Sequence, residues 1–348
     1  MSATGIRLLF GALIAAAAGV ALQTSKKGAL AGFPPLSGAT EWLNSPPLTP
    51  EGLRGKVVLV DFWTFTCVNW MRTLPYLRAW DARYRDKGLV IIGVHTPEFG
   101  IEKDVGDVRR SAKELGVGFP IAIDNDYGVW NAFDNHYWPA LYVFDATGHL
   151  RHRQFGEGGY EHAEQIVQQL LEEAGARDLD RRLSTLEVRG LEEPADVLAL
   201  GSPETYVGDD RAERFVSPGG ARHGQRQLYE IPKTLKLNEW ALSGPWTIGG
   251  QAAVSTDASG RIAYRFHARD VNLVMTPSKP GTPVRFRVLI DGAPPGAAHG
   301  VDVDDQGLGA ITEAKLYQLV RQKAPIVDRR FEVEFLDPGA QVFSFTFG

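Results

Sequence analysis

Residues 62–70 read FWTFTCVNW, and the way that stretch divides decides the fold. Before it runs KVVLVDFW (56–63), a continuous apolar segment of the kind that forms a strand buried on both faces. After it, residues 72–87 (RTLPYLRAWDARYRDK) place Leu74, Leu77, Trp80 and Tyr84 at helical spacing. Cys67 therefore falls where a buried strand hands over to a helix. Unpaired amide N–H groups and the helix dipole at such a position favour an anion. A thiol there is expected to fall from about 8.5 into the range of about 3.5–7.5 and to supply a nucleophilic thiolate. The competing reading is a buried structural cysteine, since free cysteine is among the most buried residue types. Cys67 is the one cysteine in 348 residues. Three residues on, where a second thiol would make a redox pair, stands Trp70.

Working outward, GLVIIGVH (88–95) reads as a second buried strand, 104–115 as a helix and FPIAID (119–124) as a third strand. ALYVFDATGHLRHRQFG (140–156) is a hairpin turning at Ala146–Gly148. YEHAEQIVQQLLEEAG (160–175) is an amphipathic helix ended by Gly175. The order β-α-β-α-β followed by β-β-α predicts a mixed α/β domain over residues 33–176, entered through the Pro-rich, extended stretch 33–48. Residues 177–204 are charged and weakly periodic, as a linker would be. From 205 to 348 the signal changes to short period-two strands, among them RIAYRFHA (261–268), VRFRVLID (284–291), FEVEF (331–335) and VFSFTF (342–347). Turns at Asp257–Gly260, Asp291–Gly292 and Asp337–Gly339 punctuate them, which predicts an all-β antiparallel sandwich.

VDFWTFTCVNW resembles the thioredoxin-family stretch that runs strand–Phe–Trp–x–x–x–Cys–x–x–Cys. Pro75, eight residues after Cys67, matches the proline of the family's active-site helix. HYWPALYVFD (136–145) matches the segment that carries its cis-proline, so the resemblance implies a cis Pro139 facing Cys67. The insertion before FPIAID suits the TlpA/ResA branch and the redoxins. With GVHTPEF, NHYWPALYVFDATGHLRHRQFGEGGYE and the ending FSFTFG, the chain is similar to the soluble part of DipZ-type proteins. That family joins a thioredoxin-like domain to a jelly-roll-like sandwich akin to carbohydrate-binding modules. Two departures stand out: one short apolar segment replaces the family's membrane-embedded domain, and Trp70 replaces the second cysteine. The resemblance implies attack by the first thiol on a disulfide but no internal thiol to resolve the adduct. Resolution by an external thiol, one-cysteine peroxide reduction, or loss of redox chemistry all follow from that pattern.

Several residues are candidates around the thiol. Thr64 gives the Thr-x-x-Cys spacing of peroxiredoxins, although Val60 stands where those enzymes carry a proline. Glu98 is the candidate for the proton-transferring glutamate of the TlpA/ResA branch, against a plain solvated loop carboxylate. Trp63 and Trp138 are candidates for an apolar rim, and His95 for a strand-end histidine rather than a base. Arg72 and Arg151 are candidates to steady a thiolate, with surface solvation the plainer role. In the sandwich, Trp240, Trp246, Tyr206 and Tyr229 are candidate sugar platforms. DVDDQGLGAITE (302–313) nearly fits a calcium loop but is broken by Gln306.

Composition narrows the function classes. The chain is 44% hydrophobic and 23% charged with a net charge of −5 and no basic run, which argues against nucleic acid as a partner. One cysteine excludes an internal disulfide and a thiolate metal cluster, and the sequence calls for no cofactor. Arg7 followed by LLFGALIAAAAGVAL (8–22) reads as a signal-peptide core or a membrane anchor within residues 1–32, with ALA (29–31) a candidate cleavage site. The run is short for a span, which takes about 20 residues. An extracytoplasmic place, in periplasm or cell envelope, follows. The expected partners are protein disulfides, low-molecular-weight thiols or peroxides, and envelope polysaccharide for the sandwich. The leading reading is a thiol oxidoreductase with a single nucleophilic cysteine. The alternative is a redox-inactive binding or scaffold protein.

Overall fold

The computed structural model describes residues 32–348. The apolar run 8–22 and the ALA site at 29–31 lie outside the described residues. Among those described, no helix is long and apolar enough to cross a membrane.

The first half runs β1 (Glu41–Leu43), β2 (Val57–Trp63), α1 (Val68–Tyr84), β3 (Leu89–His95), α2 (Val105–Glu114), β4 (Ile121–Ile123), α3 (Gly128–Ala132), β5 (Ala140–Phe144), β6 (Leu150–Phe155) and α4 (Tyr160–Glu173). Its six strands form one sheet in the order β1-β4-β3-β2-β5-β6. The β2–β3 and β3–β4 pairs are parallel and the others antiparallel. Every residue of β2 is buried, as a central strand covered on both faces requires. Helix α1 starts four residues earlier than the periodicity alone predicts, because Cys67 is its N-cap. Two elements escape the sequence reading. Strand β1 hides in the Pro-rich stretch and pairs with β4, and α3 is a helix of only five residues.

The named strands of the second half all pair antiparallel: β7 (Thr205–Tyr206), β8 (Arg226–Tyr229), β9 (Trp240–Ile248), β10 (Ala253–Ser255), β11 (Arg261–Phe266), β12 (Asp270–Pro277), β13 (Val284–Ile290), β14 (Leu308–Ile311), β15 (Lys315–Arg321), β16 (Arg329–Phe335) and β17 (Ala340–Phe347). The ladder runs β14-β13-β16-β11-β9-β10-β17-β12-β15. Strand β9 turns the corner between the two layers. Its residues 240–243 pair with β11 and its residues 246–248 with β10. Gly244 sits at the break with φ 82°, a left-handed conformation that glycine adopts without strain. Apolar side chains from both layers, including Leu242, Ile262, Leu273, Val288 and Phe345, fill the space between.

This packing overturns the proposed sugar platforms. Trp240 and Trp246 are fully buried, and their indole N–H groups donate to Glu213 O and Ser243 O (both 2.8 Å) inside the fold. Tyr229 is buried as well, and Tyr206 lies between the two halves of the chain. In the loop 302–313, Lys315 Nζ (2.7 Å) and the Gln318 N–H (2.8 Å) take up Asp302, while Asp304 accepts from the backbone of Gln306 and Leu308. The carboxylates that a cation would need serve the turn instead.

The two halves share an apolar core. One cluster runs from Trp63, Trp70 and Leu74 through Phe99 to Val274, Leu316 and Phe343 of the sandwich. Polar contacts ring it: Arg110 with Glu313 (2.8 Å) and the Gly100 N–H with Gln251 Oε1 (2.9 Å). Residues 177–204 are not a free linker. They lie as a strap across α1 and the sandwich. Arg78 pairs with Glu192 (2.6 Å), Ser184 N donates to Glu164 (2.8 Å), and Arg321 donates to Gly190 O (2.9 Å).

Candidate active site

The turn after β2 places Cys67 at the mouth of α1. Its N–H donates to Thr64 O (3.2 Å), and its carbonyl accepts the Met71 N–H (3.1 Å), which starts the helix. The sulfur is half-buried and lines a cleft of about 270 Å³ between the two halves of the chain. Thr66, Asn69, Glu98 and the segment His136–Trp138 contribute from the first half. Glu204, Tyr206, Arg211 and Thr346 contribute from the second. The Trp138–Pro139 bond is cis. The cleft is met by the residues just before Pro139 rather than by Pro139 itself.

Electrostatics here run against the expectation from helix position. The Trp70 N–H favours a thiolate at Cys67, but loss of water pushes the thiol well above its ordinary 9.0, and Glu204, Glu98 and Glu102 push it further. Glu98 Oε1 accepts from Tyr206 Oη (2.8 Å) and Arg211 Nη1 (2.9 Å), and that guanidinium stacks 3.5 Å from the centre of the Tyr206 ring. Glu102 lies fully buried behind, accepting from the Glu98 N–H (2.6 Å), the Phe99 N–H (2.9 Å) and the Thr66 hydroxyl. Burial raises Glu102 to about 7.

Beneath the helix, Trp70 fills the position of the missing thiol. It is fully buried and stacked on Trp63, with centroids 4.1 Å apart. Its indole N–H donates to Asp61 Oδ2 (2.7 Å). Asp61 is wholly buried, with its other oxygen unpartnered among the described residues, and desolvation raises it to about 8 despite that hydrogen bond.

Comparison with known proteins matches this architecture half by half. Residues 46–153 match the AhpC/TSA family and residues 202–348 the thioredoxin-like C-terminal domain. The chain is 36% identical to protein DipZ of Mycobacterium tuberculosis over 325 residues, covering 90% of this chain and 42% of DipZ. It is 34% identical over 141 residues to the thiol-disulfide oxidoreductase YkuV of Bacillus subtilis, covering 40% of this chain and 95% of YkuV. This chain belongs to the thioredoxin-like redoxins. It spans less than half the length of the DipZ proteins it matches. Among solved structures, a thioredoxin-like protein in its oxidized form is similar over 41% of this chain and 95% of its own, at 36% identity and a TM-score of 0.38.

The redoxin's structure redistributes the sequence candidates. Cys67, Glu98 and Trp138 meet in the cleft. Trp63 is core rather than rim, because its ring is needed under Trp70. Thr64 is fully buried, its hydroxyl lies 3.5 Å from His95 Nε2 and also hydrogen-bonds Glu102, and it is not among the residues that line the cleft. His95 is buried and held neutral, lowered to about 3 by desolvation. Pro75 lies within α1. Arg72 is not solvated: it is 3% exposed and paired with Glu157 (2.8 Å), with Gly348 packed against its guanidinium. Arg151 pairs with Asp145 and Glu173 at the surface. Sequence reasoning missed Asp61, Glu102, Glu204 and Arg211. For Asp61 the signal was present, an aspartate within an otherwise apolar strand. Glu204 and Arg211 reach the thiol only through the docking of the second half, which no local pattern encodes.

Proposed function

We propose that this redoxin carries out thiol–disulfide exchange through Cys67 alone, forming mixed disulfides that an external thiol must release. The observation that carries this reading is the position of the chain's single cysteine, at the start of α1 and facing a solvent-reached cleft. The Cys67 thiolate attacks one sulfur of a substrate disulfide. A Cys67–substrate S–S bond forms as the substrate's own S–S bond breaks, and the other half leaves as a thiolate that takes a proton from water. An internal second attack has no sulfur to make it, because Trp70 occupies that place. Protein disulfides outside the cytoplasm are the substrate class that residues 8–22 and the redoxin family support. Peroxide reduction fits less well, since Thr64 faces His95. Polysaccharide binding loses its support with the burial of Trp240, Trp246 and Tyr229.

The raised thiol favours one second reading, a redox-inert binding module. Intact-protein mass after exposure to a small aromatic disulfide separates the two. Exchange predicts one stable adduct on Cys67, formed faster with every step in pH beyond neutrality and removed only by added thiol. The rate should still be climbing above pH 9.0, the thiol's ordinary value. A native protein that takes no adduct while its unfolded form reacts would identify the binding module.

A further inference from the structure

We propose that the second domain selects the partners of Cys67 by charge, with Glu204 admitting cationic and neutral disulfides to the thiol and turning away anionic ones. The proposal rests on the exchange reading above and adds to it a substrate class. Its ground is the ownership of the cleft. Of the charged groups beside the sulfur, Glu98 and Glu102 come from the first half, and Glu204 and Arg211 from the second. Arg211 would offset the negative charge if it were free, but it is committed to Glu98 (2.9 Å) and to the face of Tyr206. Glu102 is enclosed behind Thr66 and the backbone N–H groups of residues 98 and 99. His136, also on the lining, is beside Asp134 (3.3 Å). Glu204 remains as the cleft-lining carboxylate in no salt bridge among the described residues; the residue is open to solvent, while its carboxyl group turns into the cleft and hydrogen-bonds Tyr206. Loss of water and the nearby Glu98 raise it to about 7, so near and above neutrality a substantial fraction carries its charge. Glu204 lines the same cleft as the reacting sulfur and acts on its thiol, so its charge acts on an entering reagent by Coulomb's law in a partly dry cleft, where the interaction is several-fold stronger than in bulk water.

The step itself balances as exchange. Cystamine, a dication, gives a Cys67–cysteamine disulfide and releases one cysteamine, which takes a proton from water. 2-Hydroxyethyl disulfide and dithiodiglycolate react the same way with neutral and dianionic groups. The experiment measures adduct formation on the full chain by mass spectrometry with all three reagents, each rate divided by that reagent's rate with 2-mercaptoethanol to remove intrinsic reactivity. The expected order is cystamine, then the neutral disulfide, then dithiodiglycolate, with about tenfold or more between the extremes. The spread should shrink in about 1 M salt, where the screening length falls to about 3 Å, and it should shrink several-fold in Glu204→Gln. That variant also speeds the neutral reagent by relieving the thiol, so the ratio is the readout. Equal normalised rates, or a spread that Glu204→Gln leaves intact, overturns the selection while the exchange reading stands. No adduct with any reagent removes the exchange reading and the selection with it.

Discussion

At the scale of single residues, the exchange of a thiol for Trp70 changes more than the redox pair. The indole donates the one hydrogen bond that the Asp61 carboxyl receives among the described residues, and a buried carboxyl so poorly solvated keeps its proton. An acid that holds its proton more tightly folded than unfolded stabilises the fold at low pH. That contribution is lost as pH climbs from 3.8 towards about 8, the span between the two values. Asp61→Asn keeps the acceptor for Trp70 and removes the titration. Its unfolding free energy from urea titration, relative to the wild type, should therefore rise between about pH 5 and about pH 8, by a few kcal/mol at most. A constant difference across that range would place the Asp61 proton elsewhere. Trp70→Cys is the complementary change. It leaves a cavity costing about 3–5 kcal/mol, strands Asp61 without its donor, and gives α1 a second thiol three residues after Cys67. If the variant folds, it should close a 67–70 disulfide on oxidation and turn over in insulin reduction with dithiothreitol. A folded variant whose two thiols stay free would mean that the N-terminal turn of α1 cannot bring them together.

At the scale of elements, what the sequence disclosed depended on contrast. β2 and β3 announce themselves as unbroken apolar runs, β13 and β16 alternate cleanly, and β11 and β17 keep a large apolar side chain at every second position from Ile262 and from Phe343. Strands β9, β12 and β15 do not. β9 bends through Gly244 and Pro245 and changes partners midway, while β12 is buried on every residue and loses its period of two. The linker reading of residues 177–204 gave no sign of the strap's ties, because they are isolated contacts with no period: Arg78 of α1, Arg269 just before β12, Arg321 of β15, and Ser184 on Glu164 of α4. Exposure still varies along the strap. Arg181 and Arg182 have side chains 71% and 88% exposed. Limited trypsin should nick there first, and the two fragments should then co-elute in gel filtration until denaturant is added. Separation of the fragments in native buffer would show that the strap, rather than the shared core, holds the halves together.

On the whole-molecule scale, the site belongs to neither half. Cys67, Glu98 and Trp138 were legible in the sequence because a family pattern places them within one domain, whereas Pro139, named with them, does not line the cleft. The remaining members of the cleft were not, since Glu204, Tyr206 and Arg211 follow a strap whose path no pairwise spacing reveals. The ring contact of Phe99 with Phe343 (5.2 Å) lies at the centre of that junction, and it bears on descent as well as on mechanism. YkuV is matched over 95% of its length by 40% of this chain, which leaves it too few further residues for a second domain of this size. A gene that gained the second half would have had to turn a wetted surface into an oily one around Phe99, and a gene that shed it would have had to reverse that change. Either route passes through a sticky intermediate. Either half expressed without the other is therefore expected to expose that apolar face, and to stay in solution only if the residues around Phe99 or Phe343 are made polar.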